Sequence, residues 1–263
     1  MKRVRVIPTL LIEQGRLVKT IKFGKRTYVG DPVNTVRIFS DKEVDELMLL
    51  DIGVAKAGKE PDFDLLREIA SECFIPFGYG GGIRTLEQAR RAFDAGVEKV
   101  VLNTALHRAP TLAGKIARMY GNQAVVASID VKKGLLGGQK VMTECGSRRV
   151  SGDVTEVARN AVDAGAGEIL LTAMDRDGTF DGYDMELIRR VTAAVDVPVI
   201  ASGGARGIPD FLAAIKEGGA SAVAAGAHFV FKGPHRAVLV NYPSQAVLRE
   251  GLFNHLGPED VLV

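Results

Sequence analysis

The segment from Ile75 to Leu106, IPFGYGGGIRTLEQARRAFDAGVEKVVLNTAL, aligns without a gap on the segment from Val197 to His228, VPVIASGGARGIPDFLAAIKEGGASAVAAGAH. Pro76 answers Pro198, Gly81 and Gly82 answer Gly203 and Gly204, Arg84 answers Arg206, and Gly96 answers Gly218. Each copy reads strand, glycine turn, amphipathic helix, strand. The spacing is close to half of a 263-residue chain, so two similar halves built from βα units are expected. The halves are placed at about 1–122 and 123–240, with a C-terminal tail at 241–263.

Strand-like runs recur through the whole chain with helical segments between them. They are Val4–Leu11, Glu46–Ile52, Phe74–Tyr79, Lys99–Asn103, Ala124–Asp130, Glu168–Ala173, Val197–Ser202 and Ala222–Gly226. Most are apolar and rich in β-branched residues, the pattern of a parallel sheet buried on both faces. Eight such strands close a (β/α)8 barrel, and the length suits a single barrel of about 250 residues. No GxGxxG follows the first strand, which disfavours a dinucleotide-binding open sheet. The stretch Ile12–Val33, broken by Gly15, Gly24 and Gly30-Asp31-Pro32, is read as a lid over the barrel mouth that includes a small hairpin. With 34 basic against 32 acidic side chains and no basic run, nucleic acid is not an expected partner. No apolar run reaches the ~20 residues of a bilayer span, and the first residues lead straight into a strand, so a cytoplasmic chain is expected. Cys73 and Cys145 are too few and too far apart for a disulfide framework or a zinc site and are read as inert thiols, with no metal or cofactor expected.

In this architecture chemistry gathers at the C-terminal ends of the strands. Two features stand there. Gly81-Gly82 with Asn103-Thr104, and Gly203-Gly204 with Ala225-Gly226, each join glycine backbone after one strand to small residues ending the next. Free backbone amides of this kind cradle a phosphate. The duplication predicts a ligand with two phosphates about a barrel-width apart, against the alternative that the glycines only permit close packing. The second feature is Asp130, grouped with Lys19 and Thr172. An acid ending a central strand is a candidate general acid or base, and the alternative is a cap on the turn Lys132-Lys133-Gly134.

The phrases RVRVIPTLLIEQGRLVKT, VGDP, DELMLLDI, GGGIRT, KVVLNTA, GEILLTAMDRDGT and VIASGGA follow one another in an order that resembles the cyclase subunit of imidazole glycerol phosphate synthase over about the first 230 residues. That resemblance implies a barrel joining glutamine-derived ammonia to a bis-phosphorylated substrate. It implies a catalytic role for Asp130 and a lid lysine at Lys19. It further implies substrate or phosphate contacts at Asn103, Thr104, Thr172, Asp177, Gly178, Ser202, Gly203 and Gly204. The family's other catalytic aspartate ends the first strand, where this chain has Leu11 in Thr9-Leu10-Leu11-Ile12. Leucine moves no proton, and general acid–base assistance is worth about 10²–10⁴-fold. Glu13, two residues on, is the substitute to be tested.

At the opposite end of the barrel, Arg5, Glu46, Lys99 and Glu168 start strands 1, 2, 4 and 6 and are expected to converge in a net-neutral ring. Read from the residues alone, this is an ion-pair plug. The resemblance implies instead a gate admitting ammonia from a docked glutaminase, with Glu98 contacting that partner. The combination of an intact gate and an absent acid is similar to a variant branch of the family found with acetamidino-sugar biosynthesis. In that branch the barrel and a glutaminase accompany a sugar amidotransferase. The phrases ECFIPFGYGGGI and FVFKGPHRAVLVNYP carry this finer likeness. Within the second phrase, Pro234-His235-Arg236 is read as the start of the last helix, with an anion-contacting loop as the alternative. Ser244–Val263 has no strong signature and is expected to be partly mobile. The expected function is delivery of ammonia for amidination of an N-acetyl sugar. A histidine-pathway cyclase and a non-catalytic scaffold that activates the glutaminase are the alternatives.

Overall fold

The computed structural model describes residues 4–134 and 138–260. Eight parallel strands form a closed ring: β1 Arg5–Glu13, β2 Leu47–Asp51, β3 Phe77–Gly80, β4 Lys99–Leu102, β5 Val125–Lys133, β6 Glu168–Ala173, β7 Val199–Ser202 and β8 Ala222–Ala225. Each pairs with the next, and β8 returns to β1 with Arg5 opposite Ala222 and Pro8 opposite Ala225. With helices between the strands, this is a (β/α)8 barrel. The two copies of the repeated text take matching structure. β3 and β7 fall on equivalent positions, as do the helices Leu86–Asp94 and Ile208–Lys216 that follow them.

The helices begin where local chemistry dictates. Thr85 and Gln88 form a reciprocal capping box at Leu86–Asp94, and Asp153 and Asp184 cap Val154–Asp163 and Met185–Thr192 by accepting backbone N–H bonds. Outward strand residues such as Val6, Leu49, Tyr79, Val125 and Ile169 pack against these helices in the main core. Inward residues form a separate core along the axis: Ile7, Met48, Val101, Val126, Leu170, Ile200, Ala222 and Ala224, with Leu50 against them. An eight-stranded barrel is just wide enough for side chains to fill or for one small molecule. Among the described residues, no helix is long and apolar enough to cross a membrane.

The first strand does more than the sequence indicates. It runs on past the barrel to Glu13 and pairs antiparallel with Arg16–Thr20, which pairs with Arg26–Gly30. The expected lid is thus largely a three-stranded excursion, whose ladder holds most of Ile12–Val33 before the helix Pro32–Asp41 begins.

Two expectations are corrected. Pro234-His235-Arg236 does not start a helix. It lies in the turn of a short antiparallel pair, Phe231–Lys232 with Ala237–Val238, and the last helix begins only at Gln245. The tail expected to be partly mobile is packed down as far as it is described, Val261–Val263 lying outside the described residues. Ser244 caps the helix Gln245–Gly251, Leu248 and Leu252 are fully buried, and the Tyr242 hydroxyl donates to the Val6 carbonyl at 3.0 Å. The tail's few apolar residues are too sparse to give a periodic signal, yet Leu248 and Leu252 are buried while Val247 stays exposed.

Candidate functional site

Strand alternation points Arg5, Ile7, Thr9 and Leu11 of β1 inward, and Val126, Ser128 and Asp130 of β5 inward from the other side. β1 and β5 stand four strands apart in a ring of eight, so Leu11 and Asp130 face each other across the mouth. Leu11 is paired with Leu50 on one side and Val18 on the other, so this flank of the mouth is apolar. Asp130 is buried and accepts a hydrogen bond from Asn103 Nδ2 at 3.2 Å. Burial, and secondly the negative charge of Asp177, push its carboxyl up to about 7. A carboxyl titrating near neutrality can both give and take a proton at working pH.

The alternative role for Asp130 as a turn cap is excluded, because β5 continues through Lys133 and the Lys133 amide donates to Asp175 instead. Lys19 is buried, but its ammonium does not meet Asp130. It binds both carboxylate oxygens of Asp177, at 2.7 and 2.8 Å. Thr172 sits opposite Asp130 on β6 and Ser202 opposite Thr172 on β7, both buried. Glu13 is held by Arg26 at 2.6 Å on the lid, beyond the end of the barrel proper. To stand in for an acid at Leu11 it would have to leave that pair.

Both glycine pairs lie at the mouth in left-handed backbone. A Cβ on Gly81 would lie 2.5 Å from the Asp51 carbonyl oxygen, and one on Gly203 would lie 2.6 Å from that of Ala173. The first glycine of each pair is thus required by contact with the preceding strand, whatever ligand is bound. The second cup encloses a space of its own. Its small cavity is lined by Asp177, Gly178, Gly203, Gly204, Ala225 and Gly226, with Phe180 and Ala227 at its edge. A Cβ on Gly226 would lie 3.0 Å from Cε of Lys19, so the lysine stem borders the same space. At the first cup, Thr104 Oγ1 accepts a hydrogen bond from the Glu144 amide at 3.2 Å. The segment Glu144–Gly146, all in left-handed backbone, crosses the rim, where the Cys145 thiol donates to the Ile52 carbonyl. Nothing periodic in the sequence marks this crossing. Only the glycine at 146 hints at it.

A wider cleft of about 410 Å³ opens beside the axis, lined in part by Lys133, Asp175, Arg176 and Asp184. Its polar groups serve local structure. Asp175 accepts from Lys133, Asp184 caps a helix, and Arg176 donates to the carbonyls of Asp181 and Gly182. It contains none of the mouth residues.

At the N-terminal end, Arg5, Glu46, Lys99 and Glu168 form a closed square of ion pairs. Lys99 Nζ lies 2.9 Å from both Glu46 and Glu168, and Arg5 joins the same two carboxylates from the other side. Burial alone would lower the Arg5 guanidinium, but Glu168 and Glu46 outweigh it and raise it. Burial alone would raise the Glu168 carboxyl, yet Arg5 and Lys99 together hold it below its usual value. Each charge is therefore held by two opposite ones, the arrangement under which buried ions are tolerated. Glu98 is exposed beside the ring, and on the same face Phe74 is 85% exposed. Among the described residues, no cluster of side chains fits a metal ion.

Residues 5–234 match the model of the histidine biosynthesis protein family. A Pseudomonas aeruginosa protein, provisionally named imidazole glycerol phosphate synthase subunit hisF2, is 50% identical over 243 residues, covering 92% of this chain and 97% of its own. A provisionally named HisF subunit of the same synthase from Leptospira interrogans is 44% identical over 254 residues, 96% of this chain and 100% of its own. The Alkaliphilus metalliredigens imidazole glycerol phosphate synthase subunit HisF is 41% identical over 225 residues, 86% of this chain and 89% of its own.

Proposed function

The chain belongs to the family of cyclase subunits of imidazole glycerol phosphate synthase, and from that premise we propose that it receives ammonia from a glutaminase docked on its N-terminal face and delivers it for the amidination of an N-acetyl sugar. Ammonia enters through the Arg5–Glu46–Lys99–Glu168 ring and moves along an axis whose apolar lining keeps it neutral. Glu98 belongs to the docking face. At the mouth a phosphorylated ligand is held by the two cups, Gly81-Gly82 with Asn103-Thr104 and Gly203-Gly204 with Ala225-Gly226. Asp130 is the remaining proton-transfer group, and a sugar amidotransferase is the consumer of the ammonia. The complex works in the cytoplasm, and the barrel acts as one unit of two halves, about 1–122 and 123–240.

The observation that carries this reading is Leu11 facing Asp130. Ring closure of the histidine-pathway substrate needs one group to supply a proton and another to remove one, on opposite sides of the mouth. Here one side is a leucine against Leu50, and the nearest acid on β1, Glu13, is bound to Arg26. The ion-pair ring meanwhile has all four members in contact. A barrel that has the entrance without the second acid suits ammonia transfer better than cyclisation. The neutral-range carboxyl of Asp130 favours the second reading, a working histidine-pathway cyclase.

The test is ammonium-dependent turnover of the histidine-pathway substrate by the native chain and by Leu11→Asp. The expected result is no turnover by the native chain and a gain of at least about 100-fold over background in the variant. Turnover by the native chain at a rate ordinary for an enzyme, on the order of 1 s⁻¹ or faster, overturns the proposal in favour of histidine biosynthesis. Glutaminase activation by a chain that neither binds phosphate nor passes ammonia overturns it in favour of a scaffold.

A further inference from the structure

The short antiparallel pair Phe231–Lys232 with Ala237–Val238 is part of neither the ring of strands nor the layer of helices, and no step proposed above uses it. It follows directly on the four-residue helix Ala227–Val230, whose first residue edges the second cup. Leu239 N donates to the Val230 carbonyl and Asn241 N to that of Phe229, so the pair is folded back onto that helix rather than projecting from it. Its turn reads Lys-Gly-Pro-His-Arg, three basic side chains in five residues.

The last of these, Arg236, has left-handed backbone at φ 52. Left-handed backbone is uncommon at residues other than glycine. Its guanidinium lies over the Phe180 ring, the central carbon 5.1 Å from the centroid. Phe180 is itself left-handed, at φ 68, and lines the second-cup cavity with Gly178, Gly203 and Gly204. Phe180 thus lines the cavity, and Arg236 reaches it through the ring of Phe180. Nη1 of Arg236 is buried and makes no hydrogen bond among the described residues. Arginine is charged at every physiological pH and offers its donors in a planar fork that fits the oxygens of a phosphate. An aromatic face on one side and a buried, unbonded N–H on the other is costly unless the fork also serves an acceptor.

The charge balance of the cup points the same way. Lys19 borders the cavity, but both of its bonds go to Asp177, so this pair contributes no net charge. Arg236 has no carboxylate partner among the described residues.

We infer that Arg236 is an anion-binding residue of the second cup. It closes over the group held there and selects a ligand whose far end carries a phosphate monoester rather than a neutral hydroxyl. The inference rests on reading the glycine pairs as phosphate cups, and its test separates the two. Inorganic phosphate is titrated against the full-length chain at constant ionic strength, with chloride as the balancing salt, and the midpoint of thermal unfolding gives the apparent dissociation constant. Thr104→Val weakens the first cup so that the second dominates. In that background, Arg236→Gln is expected to raise the dissociation constant about tenfold, and Arg236→Lys to recover part of the loss. Unfolding without phosphate checks that each variant is folded. Phosphate stabilisation of the native chain with a constant indifferent to Arg236→Gln overturns the inference and leaves the cups standing. No stabilisation of the native chain by phosphate beyond chloride overturns the cups, and the role of Arg236 with them.

Discussion

The carboxyl of Asp130 sets a measurable relation between pH and stability. Its value of about 7 in the folded chain compares with 3.8 for the ordinary side chain, the difference coming from burial first and Asp177 second. Below about pH 4 both folded and unfolded chains hold the proton, so the group is neutral in its effect. Between about 4 and 7 the folded chain keeps a proton that the unfolded chain has released, and stability falls as pH rises. Above 7 the whole cost is present. At about 1.4 kcal/mol per pKa unit it amounts to about 4 kcal/mol, undiscounted because the residue is buried. Asp130→Asn removes the charge and keeps an oxygen that can accept the Asn103 bond. The variant is therefore expected to gain on the native chain by about 2–3 kcal/mol between pH 5 and pH 8, while losing any chemistry that needs the acid. Urea unfolding at the two pH values reads this directly. A variant-minus-native difference that is the same at both, within about 0.5 kcal/mol, would refute the argument that the mouth holds a carboxyl against its ionisation.

Two further perturbations test the ends of the barrel. Glu168→Gln leaves Arg5 and Lys99 sharing Glu46 alone, and is expected to destabilise the fold by about 3–5 kcal/mol at pH 7 in urea unfolding. Because Glu168 is held below its ordinary value, its contribution is present above about 4.5 and fades as pH falls through the folded value, so the gap between native and variant should narrow in acid. Gly203→Ala forces a Cβ to within 2.6 Å of the Ala173 carbonyl at φ 95, and is expected to cost about 2–4 kcal/mol with loss of phosphate binding. Gly138→Ala, with nothing within 4 Å, should be near neutral in the same assay.

What could be read from the sequence was whatever repeats or alternates. The strands are legible because runs such as Val199–Ala201 are apolar on both faces, and the repeat places two strands and a helix in equivalent positions in each half. The ion-pair square was legible because Arg5, Glu46, Lys99 and Glu168 all stand at strand starts, where a closed ring must bring them together. Pairings between side chains of different loops were not. Lys19 was grouped with Asp130 because both belong to the mouth. Its choice of Asp177 follows from how the lid strands lie over the loop after β6, since Lys22 N bonds the Asp177 carbonyl at 2.9 Å. The Glu144–Gly146 crossing and the place of Arg236 over Phe180 depend on left-handed backbone at non-glycine residues, which composition does not announce. Pro234 suggested a helix start because proline favours that position, but two-residue strands on either side claimed it for a turn.

The bond from Tyr242 to Val6 links the end of the chain to its beginning, and this matters while the protein is being made. A ribosome releases the N-terminal half first, at about 5–20 residues per second. Until β8 has emerged, the outer edge of β1 has no neighbour in the ring and offers open N–H and C=O groups to any passing strand. After β8 the chain adds one more tie to this seam, the Tyr242 hydroxyl bonding the Val6 carbonyl while its ring packs 5.3 Å from that of Phe229. The stretch that follows β8, through Tyr242, is thus the latch on the newborn barrel. A message cut short after β8 would yield a ring with all its strands but without that bond from its end to its beginning.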